Sequence, residues 1–184
     1  MPGQWVPQAF PSTFGFFRME TRHQLTLFLT ENQETIERIR ARFNPAQFRL
    51  IPAHVTLCRE EELQDLDKVR ANLAAIKLAT PLQVNLGQIL RTADGKGAFL
   101  PSAGENRQFH AVRKAVLTGV VEHPRDHQPH VTLMHPRNSA CTDEIFAQLM
   151  QHKFPAQLKF RTISLIEQKA GGKWNILQEF RIAE

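Results

Sequence analysis

Two copies of one tetrapeptide carry the side chains best suited to chemistry in this chain, His54-Val55-Thr56-Leu57 and His130-Val131-Thr132-Leu133. They lie 130 − 54 = 76 residues apart in a chain of 184, and a proline stands just upstream of each, Pro52 and Pro129. Side chains of a β-strand alternate between two faces, so the histidine and threonine of each copy share a face, roughly 6–7 Å apart. Valine and leucine take the other face and anchor the strand in a core. Two such strands facing one volume bring together two imidazoles and two hydroxyls. In-line displacement at a phosphodiester uses that set: a base for the attacking oxygen and an acid for the departing one. With an ordinary pKa of about 6.5, imidazole serves as either near neutral pH. Threonine hydroxyls donate to the non-bridging oxygens, where transition-state charge accumulates. One His-X-Thr-X alone reads as a surface strand; its repetition in a matching context is what points to a site. No metal is required.

The elements that must position these strands are legible around them. Gln24 to Leu29 alternates as a strand, and Thr30 to Gln33 has the form of a capping box opening a helix with Ile36, Ile39 and Phe43 on one stripe. Phe48 to Leu57 is read as the first motif strand. Leu63, Leu66, Val69, Leu73 and Ile76 mark the next helix, with Glu60-Glu61-Glu62 as its solvated first turn complementing the helix dipole. Leu82 to Leu100 reads as a hairpin turning at Asp94-Gly95. Asn106 to Val120 reads as a helix with Phe109, Val112 and Val116 inward and Arg113 and Lys114 exposed. Cys141 to His152 forms a fourth helix, and Phe160–Gln168 and Trp174–Ile182 form a closing hairpin. The order implies an α+β protein of two similar lobes, two antiparallel sheets flanking a cleft with helices outside.

With these motifs and this order of elements the sequence resembles the 2H phosphoesterases, a family that includes bacterial RNA 2′,3′-cyclic phosphodiesterases historically called 2′-5′ RNA ligases. The resemblance covers roughly residues 22 to 183 and implies a bilobal, pseudo-symmetric domain spanning 22–184. It further implies His54 and His130 as the catalytic pair, with His130 as base and His54 as acid, Thr56 and Thr132 as phosphate ligands, and a 2′-phosphate product. The family's motifs are often followed by a basic residue. Arg59 follows the first here, whereas His135 stands in the equivalent place after the second, with Arg137 beyond it. The expected substrate is a 2′,3′-cyclic phosphate on an RNA end or nucleotide. The alternatives are 2′-5′ RNA joining and non-catalytic binding of a nucleotide or RNA end.

Other features carry less. Arg59 reads either as a phosphate contact or as the partner of a neighbouring glutamate. Trp174 reads as hairpin packing or as a stacking surface for a base. His123, His127 and His135 lie in a histidine-dense stretch, but two prolines interrupt it and no helical His-X-X-X-His pattern occurs. They are assigned to the surface or the rim of the cleft, with no metal and no cofactor expected. The segment 1–21, with Phe10, Phe14, Phe16 and Phe17, is read as an arm docked on the domain, either as simple packing or as a lid or stacking edge. A net charge of +5 and a pI near 9.6 favour a polyanionic partner. Cys58 and Cys141 fit neither a disulfide framework nor a zinc pair. With no apolar run of membrane-spanning length and no signal peptide, a cytoplasmic monomer is expected.

Overall fold

In the computed structural model, which describes residues 21–184, each tetrapeptide makes up most of a five-residue strand. The strands are β2 (His54–Cys58) and β6 (His130–Met134). Their accessibility patterns are identical, histidine and threonine half-buried and valine and leucine fully buried. The period of two that separates chemistry from core in the sequence therefore holds in both copies.

Seven strands form one antiparallel run. β1 (Thr21–Phe28), β8 (Thr162–Lys169) and β9 (Trp174–Arg181) extend it from β2, and β5 (Ala98–Pro101) and β4 (Leu90–Arg91) extend it from β6. The order is β4-β5-β6-β2-β1-β8-β9, so the two motif strands are neighbours at the join of the lobes. Val55 opposite Val131 is the one register pair between them. β1 and β8, by contrast, pair from Thr21–Lys169 to Thr26–Ser164. The two expected sheets are thus present as half-sheets that touch at one point. β3 (Leu82–Asn85) and β7 (Gln157–Phe160) make a separate two-stranded sheet.

Among the described residues five α-helices, α1 (Glu34–Phe43), α2 (Pro45–Leu50), α3 (Leu66–Ala75), α4 (Arg107–Leu117) and α5 (Asp143–Met150), connect the strands. Leu25, Leu27, Val55, Leu57, Val131 and Leu133 from the strands share one buried cluster with Ile36, Ile39, Val69, Leu73, Phe109, Val116 and Leu149 from the helices. Burying a side chain of this size contributes about 1.5–3 kcal/mol. One sheet face is consumed in this way, leaving the other for His54, Thr56, His130 and Thr132.

Several local expectations are corrected. The segment before the first motif is not a continuous strand from Phe48: Pro45, with φ preset for a first helical turn, starts α2. The capping box at Thr30 is not formed, because Asn32 adopts a left-handed turn (φ 56) and α1 begins at Glu34. Leu82–Asn85 leaves the expected hairpin to pair with β7, and the hairpin that remains is β4–β5 around Gly95 (φ +70). Within it Gly97 runs so close to β6 that a Cβ would lie 2.6 Å from the Met134 carbonyl oxygen. Phe160 belongs to β7, and β8 starts at Thr162. The segment 1–21, expected to dock as an arm, lies outside the described residues except for Thr21, the first residue of β1.

Candidate active site

The antiparallel join explains how two sequence-distant motifs make one site. With Val55 facing Val131, continuing the register sets His54 across from Thr132 and Thr56 across from His130, related by a local two-fold axis through the valines. Strand rise and spacing then put the two histidine Cα atoms roughly 8 Å apart on the same face. All four side chains line a cleft of about 360 Å³. A larger depression of about 560 Å³ beside Leu117–Val121 is lined by Lys114 and Glu122 but by no histidine and by neither repeated motif.

Each imidazole is oriented from behind. Nδ1 of His54 lies 2.8 Å from the Pro52 carbonyl oxygen, and Nδ1 of His130 lies 3.0 Å from that of Gln128. A carbonyl only accepts, so Nδ1 carries the proton in both rings and Nε2 is left as the basic nitrogen. Phe28 stands edge-on to His54 at 6.2 Å and Phe99 edge-on to His130 at 5.9 Å. These phenylalanines occupy neighbouring strands on the same face, Phe28 opposite His54 and Phe99 opposite Thr132.

Burial lowers both pKa values. His54 is pushed down to about 4, chiefly by desolvation, with the Arg40 cation and His130 adding to the effect and the Pro52 carbonyl opposing it. His130 is lowered by desolvation and by Arg59, against its bond to Gln128. Both rings are consequently neutral at pH 7 until an anion enters the cleft. A neutral imidazole can accept a proton, and a bound anion would favour the charged form of either ring by supplying the compensating charge.

The threonines are not equivalent. The Gln24 amide nitrogen donates to Thr56 Oγ1 at 2.9 Å and to Thr26 Oγ1 at 2.9 Å. Thr56 accepts from a group that cannot accept in return, which reserves its own hydroxyl proton for the cleft. Among the described residues no corresponding amide holds Thr132. In the sequence Gln24 reads only as a polar position of a strand.

Four arginines line the same cleft. Arg22 is held by Glu60 at 2.6 Å and Arg40 by Glu37 at 2.7 Å, whereas Arg59 and Arg137 have no carboxylate partner among the described residues. Arg40 is 1% exposed, donates to the Ile51 carbonyl at 2.7 Å and leaves Nε without a partner. Its signal in the sequence is an arginine on the apolar stripe of α1, four residues after Ile36. Trp174 and His135 also line the cleft. The Arg22 guanidinium sits 5.7 Å from the Trp174 ring centroid, and His135 Nδ1 accepts from the Arg137 backbone N–H at 3.2 Å.

Three surface assignments are corrected. His127 is 5% exposed, and its Nε2 donates to the Thr56 carbonyl oxygen at 2.9 Å. Burial lowers its pKa to about 4. Arg113 and Glu62, expected in solvent, are both buried and form an ion pair through two nitrogens and two oxygens. The sequence signal is the place of Arg113 on the inward stripe of α4, four residues after Phe109. Glu60 and Glu61 are also engaged, by Arg22 and Arg125. His123 is exposed, as expected. No group of three or more His, Cys, Asp or Glu side chains among the described residues is placed to hold a metal, and no described helix is long and apolar enough to cross a membrane.

The sequence of residues 28–172 matches the family model described as the 2′-5′ RNA ligase superfamily. No curated protein matches the chain. Among solved structures, E. coli LigT complexed with phosphate superposes with a TM-score of 0.58 at 16% identity, covering 90% of this chain and 99% of that one. E. coli LigT complexed with 3′-AMP gives 0.61 at 15% identity, covering 89% and 99%. Protein TT0787 of Thermus thermophilus gives 0.50 at 18% identity, covering 88% and 97%. At these identities the superpositions establish the fold.

Proposed function

Because this chain belongs to the 2′-5′ RNA ligase superfamily, we propose that it is a metal-independent phosphodiesterase that opens the 2′,3′-cyclic phosphate of RNA ends or nucleotides. The observation that carries this reading is the pair of imidazoles, each with its Nδ1–H tied to a backbone carbonyl and each lining one cleft with the two threonines. His130 Nε2 takes a proton from the attacking water, and His54, protonated as the phosphate binds, delivers one to the departing 3′ oxygen. The P–O3′ bond breaks and a 2′-phosphate remains. Thr56 and Thr132 hold the non-bridging oxygens, with Arg59, His135 and Trp174 as further contacts to phosphate or nucleoside.

Hydrolysis of the four nucleoside 2′,3′-cyclic phosphates in EDTA tests this, with wild type beside His54→Ala and His130→Ala. Turnover in wild type and its loss in both variants is the expected result; turnover surviving in either variant refutes the two-histidine mechanism. The second reading is 2′-5′ joining, supported by the family's description and by the common transition state of hydrolysis and its reverse. Product formation from paired RNA ends distinguishes it. Tight nucleotide binding with no turnover on any cyclic phosphate would instead make the cleft a binding site.

A further inference from the structure

β2 and β6 must hold the half-sites at a fixed separation, yet the sheet joins them through a single register pair, Val55–Val131. Two side chains from elsewhere make up the deficit. The His127 ring, three residues before His130, donates to the Thr56 carbonyl oxygen at 2.9 Å and packs against the His130 ring at 6.1 Å between centroids. Arg113, on α4, donates to the Leu57 carbonyl oxygen at 3.1 Å and to the Arg125 carbonyl oxygen at 2.9 Å. One guanidinium therefore ties the first motif strand to the loop that leads into the second. Glu62 holds that guanidinium from the other side, both side chains being about 5% exposed. Arg59, a residue of the cleft, is linked to the same carboxylate through its backbone N–H, which donates to Glu62 at 3.2 Å.

From these contacts we infer that His127 and Arg113 are positioning residues, a clamp that sets the distance between the two catalytic histidines. Neither lines the cleft. A carbonyl accepts from His127, so its Nε2 carries the proton and is committed to structure. Its tautomer is opposite to that of His54 and His130. The clamp binds carbonyls at two successive residues of β2, Thr56 and Leu57, and fastens both to 125–127. A shift of the second motif relative to the first has to break these bonds.

The inference rests on the two-histidine reading of the cleft, and the test separates the two. His127→Phe keeps a ring against His130 and removes the donor to Thr56; His127→Gln returns a donor at the distance of Nε2. Arg113→Lys keeps a cation for Glu62 but cannot span Leu57 and Arg125 together. With nucleoside 2′,3′-cyclic phosphates, kcat of His127→Phe and Arg113→Lys falls by about 10²-fold, as expected for misplacement of reacting groups by an ångström. KM changes much less, and His127→Gln recovers most of the rate. A merely structural role predicts lower melting temperatures with kcat unchanged well below them, and that result overturns the clamp. Crystal structures of the same variants give a readout independent of turnover: the separation of the His54 and His130 Nε2 atoms widens if the clamp exists and is unchanged if it does not. Were wild type inactive on every cyclic phosphate, the proposed function would fail while this distance still decided the clamp.

Discussion

The two half-sites begin as near copies and end as different environments. Each histidine bonds the carbonyl two residues upstream and meets a phenylalanine edge-on. Each threonine shares its histidine's face. The shared face follows from the repeated tetrapeptide and strand geometry, so repetition reproduces it, while the matching phenylalanines come from the strand beside each motif, β1 and β5. The differences come from neighbours that the repeat does not encode. Thr56 is held by Gln24, while Thr132 has no such support among the described residues. His54 lies within the field of Arg40, and His130 packs against His127. A repeated motif supplies paired functional groups; the surrounding lobes give them different neighbours.

The largest expected effect tests the feature the halves share. His54→Ala and His130→Ala should each reduce kcat by about 10²–10⁴-fold, the range of general acid–base catalysis. A much smaller loss in one would mean that the halves are not catalytically paired. Next, Thr56→Val should slow the reaction by about 10²-fold, as for loss of an anion-stabilising donor, and more than Thr132→Val. Equal losses would show that the Gln24 bond confers no advantage. Gln24→Ala, which leaves the Thr56 hydroxyl in place but unheld, should cost about fivefold, equivalent to a hydrogen bond of about 1 kcal/mol.

The pH profile sharpens the comparison further. Far enough to the acid side both histidines are protonated and no base remains; well above the ordinary 6.5 both are neutral and no acid remains, since both values are lowered. The profile of kcat/KM should therefore peak on the acid side of 6.5, and a maximum above pH 7.5 would contradict the lowered values. Stability moves the opposite way. His127, folded, has a pKa near 4 against an ordinary 6.5, so between these values the unfolded chain binds more protons. Stability is lost as pH falls from 6.5 to 4, and His127→Gln should flatten that decline in denaturant titrations at pH 7 and pH 4.5.

How much of the site can be read from the sequence depends on the kind of signal. His54, Thr56, His130 and Thr132 are found because a period of two is local and because the motif occurs twice. Gln24 escapes because its importance lies in the register of β1 against β2, which no local pattern reports. Arg40 and Arg113 have a legible sign, an arginine on an apolar helical stripe, but a charged residue at such a position is ordinarily assigned to solvent. His127 has no sign at all, since nothing in a proline-rich loop indicates which ring turns inward. Phe48 misleads because an apolar residue between polar neighbours suits a short helix as well as a strand, and Pro45 decides in favour of the helix.

The sequence by itself determined the α+β order of elements, the two motif strands and the face on which each carries its chemistry, because all of these follow from chain periodicity. Only the tertiary structure decided that the strands lie side by side with Val55 on Val131, that burial lowers the pKa of both imidazoles, and that His127 and Arg113 bridge the halves. Those properties depend on distances and desolvation between residues far apart in the chain, which arise when the lobes pack together.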